Sequence, residues 1–159
     1  MTSVMSTTGE LDVGQPSAEA RTRLFAAAAT DRQSAIANHL AGLRIWGSPG
    51  KVDEEAQARF AGEAYDRAFD PAGVGRQLMG VTASGSRADA LPQVNVPTLV
   101  MHGSADKLID PSGGRRTAEL VPGARFVEVD GMGHDLPQRH WPLLVGLIGE
   151  QVAAASERI

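Results

Sequence analysis

The sequence predicts an α/β protein: about three parallel strands with flanking helices, and a long helical insertion after the first strand. Three observations carry this expectation. The run PTLVM at 97–101 is apolar without alternation, the pattern of a parallel strand buried on both faces. From there to the C-terminus, strand and helix patterns alternate. Before it lie roughly seventy residues of helical pattern, far more than an ordinary crossover or a structureless loop would need.

The first element is TSVMS at 2–6, a short β-branched and apolar run closed by Thr7, Thr8 and Gly9. Pro16 and Ser17 signal a helix start, and a first helix is expected from Ser17 to Ala29. Ile36, Leu40, Leu43 and Ile45 recur at helical spacing until Gly47-Ser48-Pro49-Gly50 stops the pattern. Asp53 caps a third helix with acids near its N-terminus, and Phe60, Ala64 and Phe69 are expected on one face. Asp70-Pro71 opens a fourth through Val74, Leu78 and Val81, and a short turn is expected over Ala88–Leu91. After the 97–101 strand come a helix from Pro111 to Val121 and a strand over Ala124–Val129. Arg125 and Glu128 place that strand nearer a sheet edge. A last amphipathic helix runs from Trp141 to Val152, with the final residues fraying. The division expected is 1–16 as strand and loop of the core, 17–91 as helical cap, and 92–159 as the C-terminal part of the core.

At 159 residues the chain suffices for one domain of ordinary size, or part of one. Hydrophobic residues at 42% and charged residues at 21% exclude wholesale disorder, and no apolar run approaches a membrane span. A net charge of -4 provides no general basic surface for a polyanion, so neither nucleic acid nor a membrane is an expected partner. The absence of cysteine excludes a disulfide, a thiolate nucleophile and a cysteine metal site. MTSVMSTTGELDVG has neither a basic n-region nor a long apolar h-region, so cytoplasmic localisation is the expectation.

Chemistry concentrates after the two later strands. Functional groups in parallel sheets gather at the carboxyl ends of strands, where Asp106 and His134 are expected. A carboxylate accepting from one imidazole nitrogen fixes the tautomer and leaves the other nitrogen as a general base. Asp110, Asp130 and Asp135 are rival acids, Asp110 foremost because it follows Asp106 by one helical turn. His102 reads as a strand-end hydrogen bonder; His39 and His140 read as surface or packing residues. A metal site from His102, Asp106, His134 and Asp135 lacks supporting spacing. Leu108, Ile109, Leu136 and Trp46 are candidates for an apolar pocket, and equally for core.

VPTLVMHGSADKLID followed by GARFVEVDGMGHDLP resembles the last two strands of the α/β-hydrolase superfamily, whose triad runs nucleophile, acid, histidine. His102-Gly103-Ser104-Ala105-Asp106 matches the family's HGxxD acid loop, and Gly131-Met132-Gly133-His134 its GxGH loop. MTSVMSTTG, SPG and AYDRAFDPAG also resemble the sixth strand and cap, particularly of esterases similar to aclacinomycin methylesterase. The resemblance covers the second half of that fold. It implies a carboxylic ester hydrolase, catalytic residues Asp106 and His134, a small-molecule ester-like substrate and no cofactor.

The G-x-S-x-G nucleophile elbow is absent from the chain. Ala83-Ser84-Gly85-Ser86-Arg87 lacks its first glycine and follows a helix, whereas the elbow requires a strand-to-helix turn. The chain alone is therefore expected to be inactive: a truncated product, an internally started one, or a half completed by another chain. The alternative is a non-catalytic binding or interaction protein derived from the fold, self-associating through an open sheet edge.

Overall fold

The computed structural model describes residues 1–50 and 52–156. Its sheet has three parallel strands, β1 (Thr2–Val4), β2 (Leu99–Gly103) and β3 (Arg125–Val129), in the order β1-β2-β3. Leu99 stands opposite Thr2 on one side and Arg125 on the other, and all five residues of β2 are buried. That accounts for its unbroken apolar run. Arg125 and Glu128 lie on the edge strand β3, as their polarity suggested.

Side chains alternate along β2, so Leu99 and Met101 face one layer and Val100 and His102 the other. The first face packs with Val129, Met132, Leu144 and Leu147, the last two from α6 (Trp141–Ser156). The opposite face meets α5 (Ser112–Leu120): a Cβ placed on Gly114 would lie 2.4 Å from Nδ1 of His102. Helices therefore cover both faces of the strand that carries the HGxxD sequence.

Between β1 and β2 run α1 (Ala18–Leu24), α2 (Arg32–Trp46), α3 (Glu54–Arg67) and α4 (Pro71–Ala83). Ser17, Asp31, Asp53 and Asp70 each cap one through an N-H three residues on. α2 packs against α3, and Arg32–Asp66 and Arg44–Glu54 bridge their exposed flanks.

Several boundaries differ from expectation. α1 stops at Leu24 instead of Ala29: the Ala26 N-H bonds the Arg23 carbonyl at 3.1 Å in a tight last turn, and beyond it the Ala27 carbonyl accepts from Asn38 Nδ2 of α2. Alanine's helix propensity, a few tenths of a kcal/mol per residue, does not carry the helix past that turn. β1 ends at Val4, where Met5 takes a left-handed φ of 48° and turns the chain out of the sheet. β2 is shifted two residues along, from Leu99 to Gly103, and takes in His102. The turn expected at 88–91 is present and runs on into a 3-10 turn at Leu91–Gln93. α6 persists to Ser156, and residues 157–159 lie outside the described residues. On α3 the buried positions are Ala61 and Gly62; Phe60 is exposed, and Phe69 lies past the helix end, stacked on Tyr65 at 4.5 Å.

Candidate active site

Asp106 sits in the turn that follows β2, and its side chain is fully buried. Burial alone would favour its neutral form, but three hydrogen bonds and a close imidazole nitrogen reach its two oxygens. Oδ1 accepts from the N-H of Leu108 and of Ile109, both at 2.9 Å. Oδ2 lies 2.7 Å from Nδ1 of His134 and 3.3 Å from Nε2 of His102. Burial pushes the carboxyl up; the bonds from His102, His134 and Ile109, together with the charge of His134, outweigh it and hold Asp106 at about 2.

An ionised carboxylate can only accept, so Nδ1 of His134 carries the proton and its Nε2 lone pair is free. The His134 side chain is 26% exposed. His102 is fully buried, and its Nε2 donates to the Ile109 carbonyl at 2.9 Å. This ring braces the acid loop, as a strand-end hydrogen bonder would, and its Nδ1 has no hydrogen-bond partner.

The rival acids are engaged elsewhere. Asp110 Oδ1 accepts from the N-H of Ser112, Asp130 from the Ser104 hydroxyl, and Asp135 from Ser48. Ser84 donates back to the Gly80 carbonyl, while Ser86 accepts from the N-H of Ala88. Both serve local turns. Among the described residues, no cluster of three or more His, Cys, Asp or Glu is arranged to hold a metal.

His134 opens onto a cleft of about 580 Å³ walled by Trp46, Phe60, Leu136 and Trp141. A more apolar hollow of about 520 Å³ adjoins it through His39, Trp46 and Phe60. Of the four apolar candidates, Trp46 and Leu136 line the cleft. Leu108 and Ile109 do not; they present their backbone N-H groups to Asp106. His39 packs α2 against α3, with Nε2 3.0 Å from Gln57 Oε1 and its ring beside Phe60, and it also lines the cleft. His140 is half-buried.

The sequence reading missed Ser48. It is buried at 5% exposure and bonded to the histidine loop. Its signal was SPG, read as a helix stop and as part of the resemblance to the family's cap, with no role for the serine itself.

No protein-family model matches the chain. It is 36% identical over 70 residues to the rhodomycin D methylesterase DauP of a Streptomyces species, and 37% identical over 70 residues to DnrP of Streptomyces peucetius. Each match covers 43% of this chain and 24% of the relative, so the matched stretch spans about a quarter of those curated proteins. Among solved structures, a meta-cleavage product hydrolase from Pseudomonas fluorescens superposes with a TM-score of 0.70 at 18% identity, over 98% of this chain and 56% of that one. The fold is that of an α/β-hydrolase. The enol-lactonase of Burkholderia xenovorans agrees, with a TM-score of 0.68 at 18% identity over 96% of this chain and 55% of that enzyme. This chain thus spans about half the length of those hydrolases, and it resembles the methylesterases in sequence. None of the described helices is long and apolar enough to cross a membrane.

Proposed function

We propose that Asp106 and His134 are the acid and base of a Ser-Asp-His triad in a carboxylic ester hydrolase, of which this chain supplies the C-terminal part. The observation that carries the reading is the 2.7 Å contact between Asp106 Oδ2 and His134 Nδ1. A buried, ionised acid orients the imidazole and stabilises the cation formed when Nε2 takes a proton from a serine hydroxyl. The serine is not among these 159 residues in a G-x-S-x-G elbow. Residues 17–91 act as the cap over the cleft, residues 1–16 and 92–159 as core. The substrate is a small ester with an apolar part, seated between Trp46, Leu136 and Trp141. No cofactor takes part, since triad hydrolysis needs only water.

A serine-directed fluorophosphonate probe tests this reading. The chain alone should remain unlabelled. Mixed with a polypeptide carrying the first half of the fold and its G-x-S-x-G serine, it should support labelling that His134→Ala abolishes. Labelling of the chain alone, or labelling of the mixture indifferent to His134→Ala, would refute it.

One observation favours a second reading, a non-catalytic interaction protein: β1 pairs with β2 on one side only, leaving a strand edge for another chain. Failure of every complementing half to give labelling, combined with stable binding of an extended peptide along β1, would select it.

A further inference from the structure

Three consecutive residues of the histidine loop are tied to the turn that ends α2. The Gly133 N-H donates to Ser48 Oγ at 2.8 Å, and the His134 N-H to the Trp46 carbonyl at 2.6 Å. Asp135 Oδ1 accepts from the Ser48 N-H at 2.8 Å and from the Ser48 hydroxyl. Arg139 adds a bond from Nη2 to the Pro49 carbonyl at 3.0 Å. The two segments approach backbone to backbone: a Cβ on Gly133 would lie 2.3 Å from the carbonyl carbon of Gly47 and 2.5 Å from the Trp46 oxygen.

A serine hydroxyl has one proton to donate and lone pairs to accept with. Here the proton goes to Asp135, which leaves a lone pair for Gly133. This fixes the backbone on both sides of His134, while Asp106 fixes only its ring.

We propose that Ser48 and Asp135 are positioning residues for His134: they lock the histidine loop to the C-terminal end of α2 and so hold the imidazole at its cleft. The inference rests on the reading of His134 as the base. Loss of the Ser48 hydroxyl leaves a buried Gly133 N-H without an acceptor and removes two of the bonds that hold the loop to the end of α2. Loss of the Asp135 carboxylate removes the other half of the same lock.

Amide hydrogen exchange and imidazole proton NMR on the full chain test this without any need for activity. In the unaltered chain the Gly133 and His134 amides should be protected; exchange of both at unprotected rates overturns the proposal. In Ser48→Ala these two amides should exchange at least about tenfold faster relative to β2 amides, with broadening of the His134 Nδ1 proton signal, whereas Ser48→Thr should retain both. A purely structural serine would instead raise exchange uniformly across the core and leave the ring signal sharp, and that outcome refutes the positioning role. Should Ser48→Ala fail to fold, Asp135→Ala, at a half-buried position, must produce the same selective change, and an unchanged loop there is equally fatal. Asp106→Asn separates this inference from the parent reading, because it should disturb the ring signal but leave the Gly133 and His134 amides protected.

Discussion

At the scale of single residues, Asp106 holds the most consequential position, a buried carboxylate bonded by His134 and two backbone N-H groups, with His102 Nε2 3.3 Å away. Its folded value of about 2 lies below the unfolded value of roughly 3.9. The stabilisation is therefore fully present above pH ~4 and is lost as pH falls through the folded value, with ~2 kcal/mol at stake. Urea melts between pH 5 and pH 2 should show this loss in the native chain and a flatter profile in Asp106→Asn. That substitution should also cost about 2 kcal/mol at neutral pH, since its amide nitrogen cannot accept from the surrounding donors. A second prediction concerns Gly133. Alanine there would force its Cβ into the backbone of Gly47 and Ser48, at a cost of about 1–3 kcal/mol or more, read as a lower midpoint in urea.

At the scale of elements, strand and helix order was legible because burial writes itself into composition. PTLVM is apolar because β2 is flanked on both sides and covered on both faces. The meeting of Asp106 and His134 was legible because each follows a strand of the parallel sheet in a glycine-containing loop, and the carboxyl ends of neighbouring strands lie side by side. Features that depend on distant segments were not. Nothing local to Ala26–Ala29 marks a helix stop at Leu24 or a bond from Asn38. Ser48 was hidden for the same reason, since its partners Gly133 and Asp135 lie 85 and 87 residues away. A test at this scale follows from the contact of α5 with β2. Gly114→Ala would drive its Cβ onto His102 and loosen the brace on Asp106; the His102 ring resonance should shift, and thermal stability should fall by several degrees.

At the scale of the whole molecule, the chain presents the cleft and sheet of an α/β-hydrolase with much apolar surface uncovered. Leu143, Val145, Ile148 and Val152 of α6 are exposed, as are Val74, Met79 and Val81 of α4. With one side of β1 also unpaired, the isolated chain is expected to self-associate. Sedimentation velocity across a tenfold concentration range should show species heavier than the 16.7 kDa monomer. A single concentration-independent monomer would contradict that expectation.

In the proposed site Asp106 presents His134 as a base, with the proton on Nδ1 and Nε2 open to the cleft. Nitrogen-15 NMR of the histidine side chains, recorded over a range of pH, measures this directly. Neutral His134 should carry its proton on Nδ1, with a hydrogen-bonded downfield proton signal that Asp106→Asn weakens or removes. A neutral His134 protonated on Nε2, or an Nδ1 signal indifferent to Asp106→Asn, would contradict it.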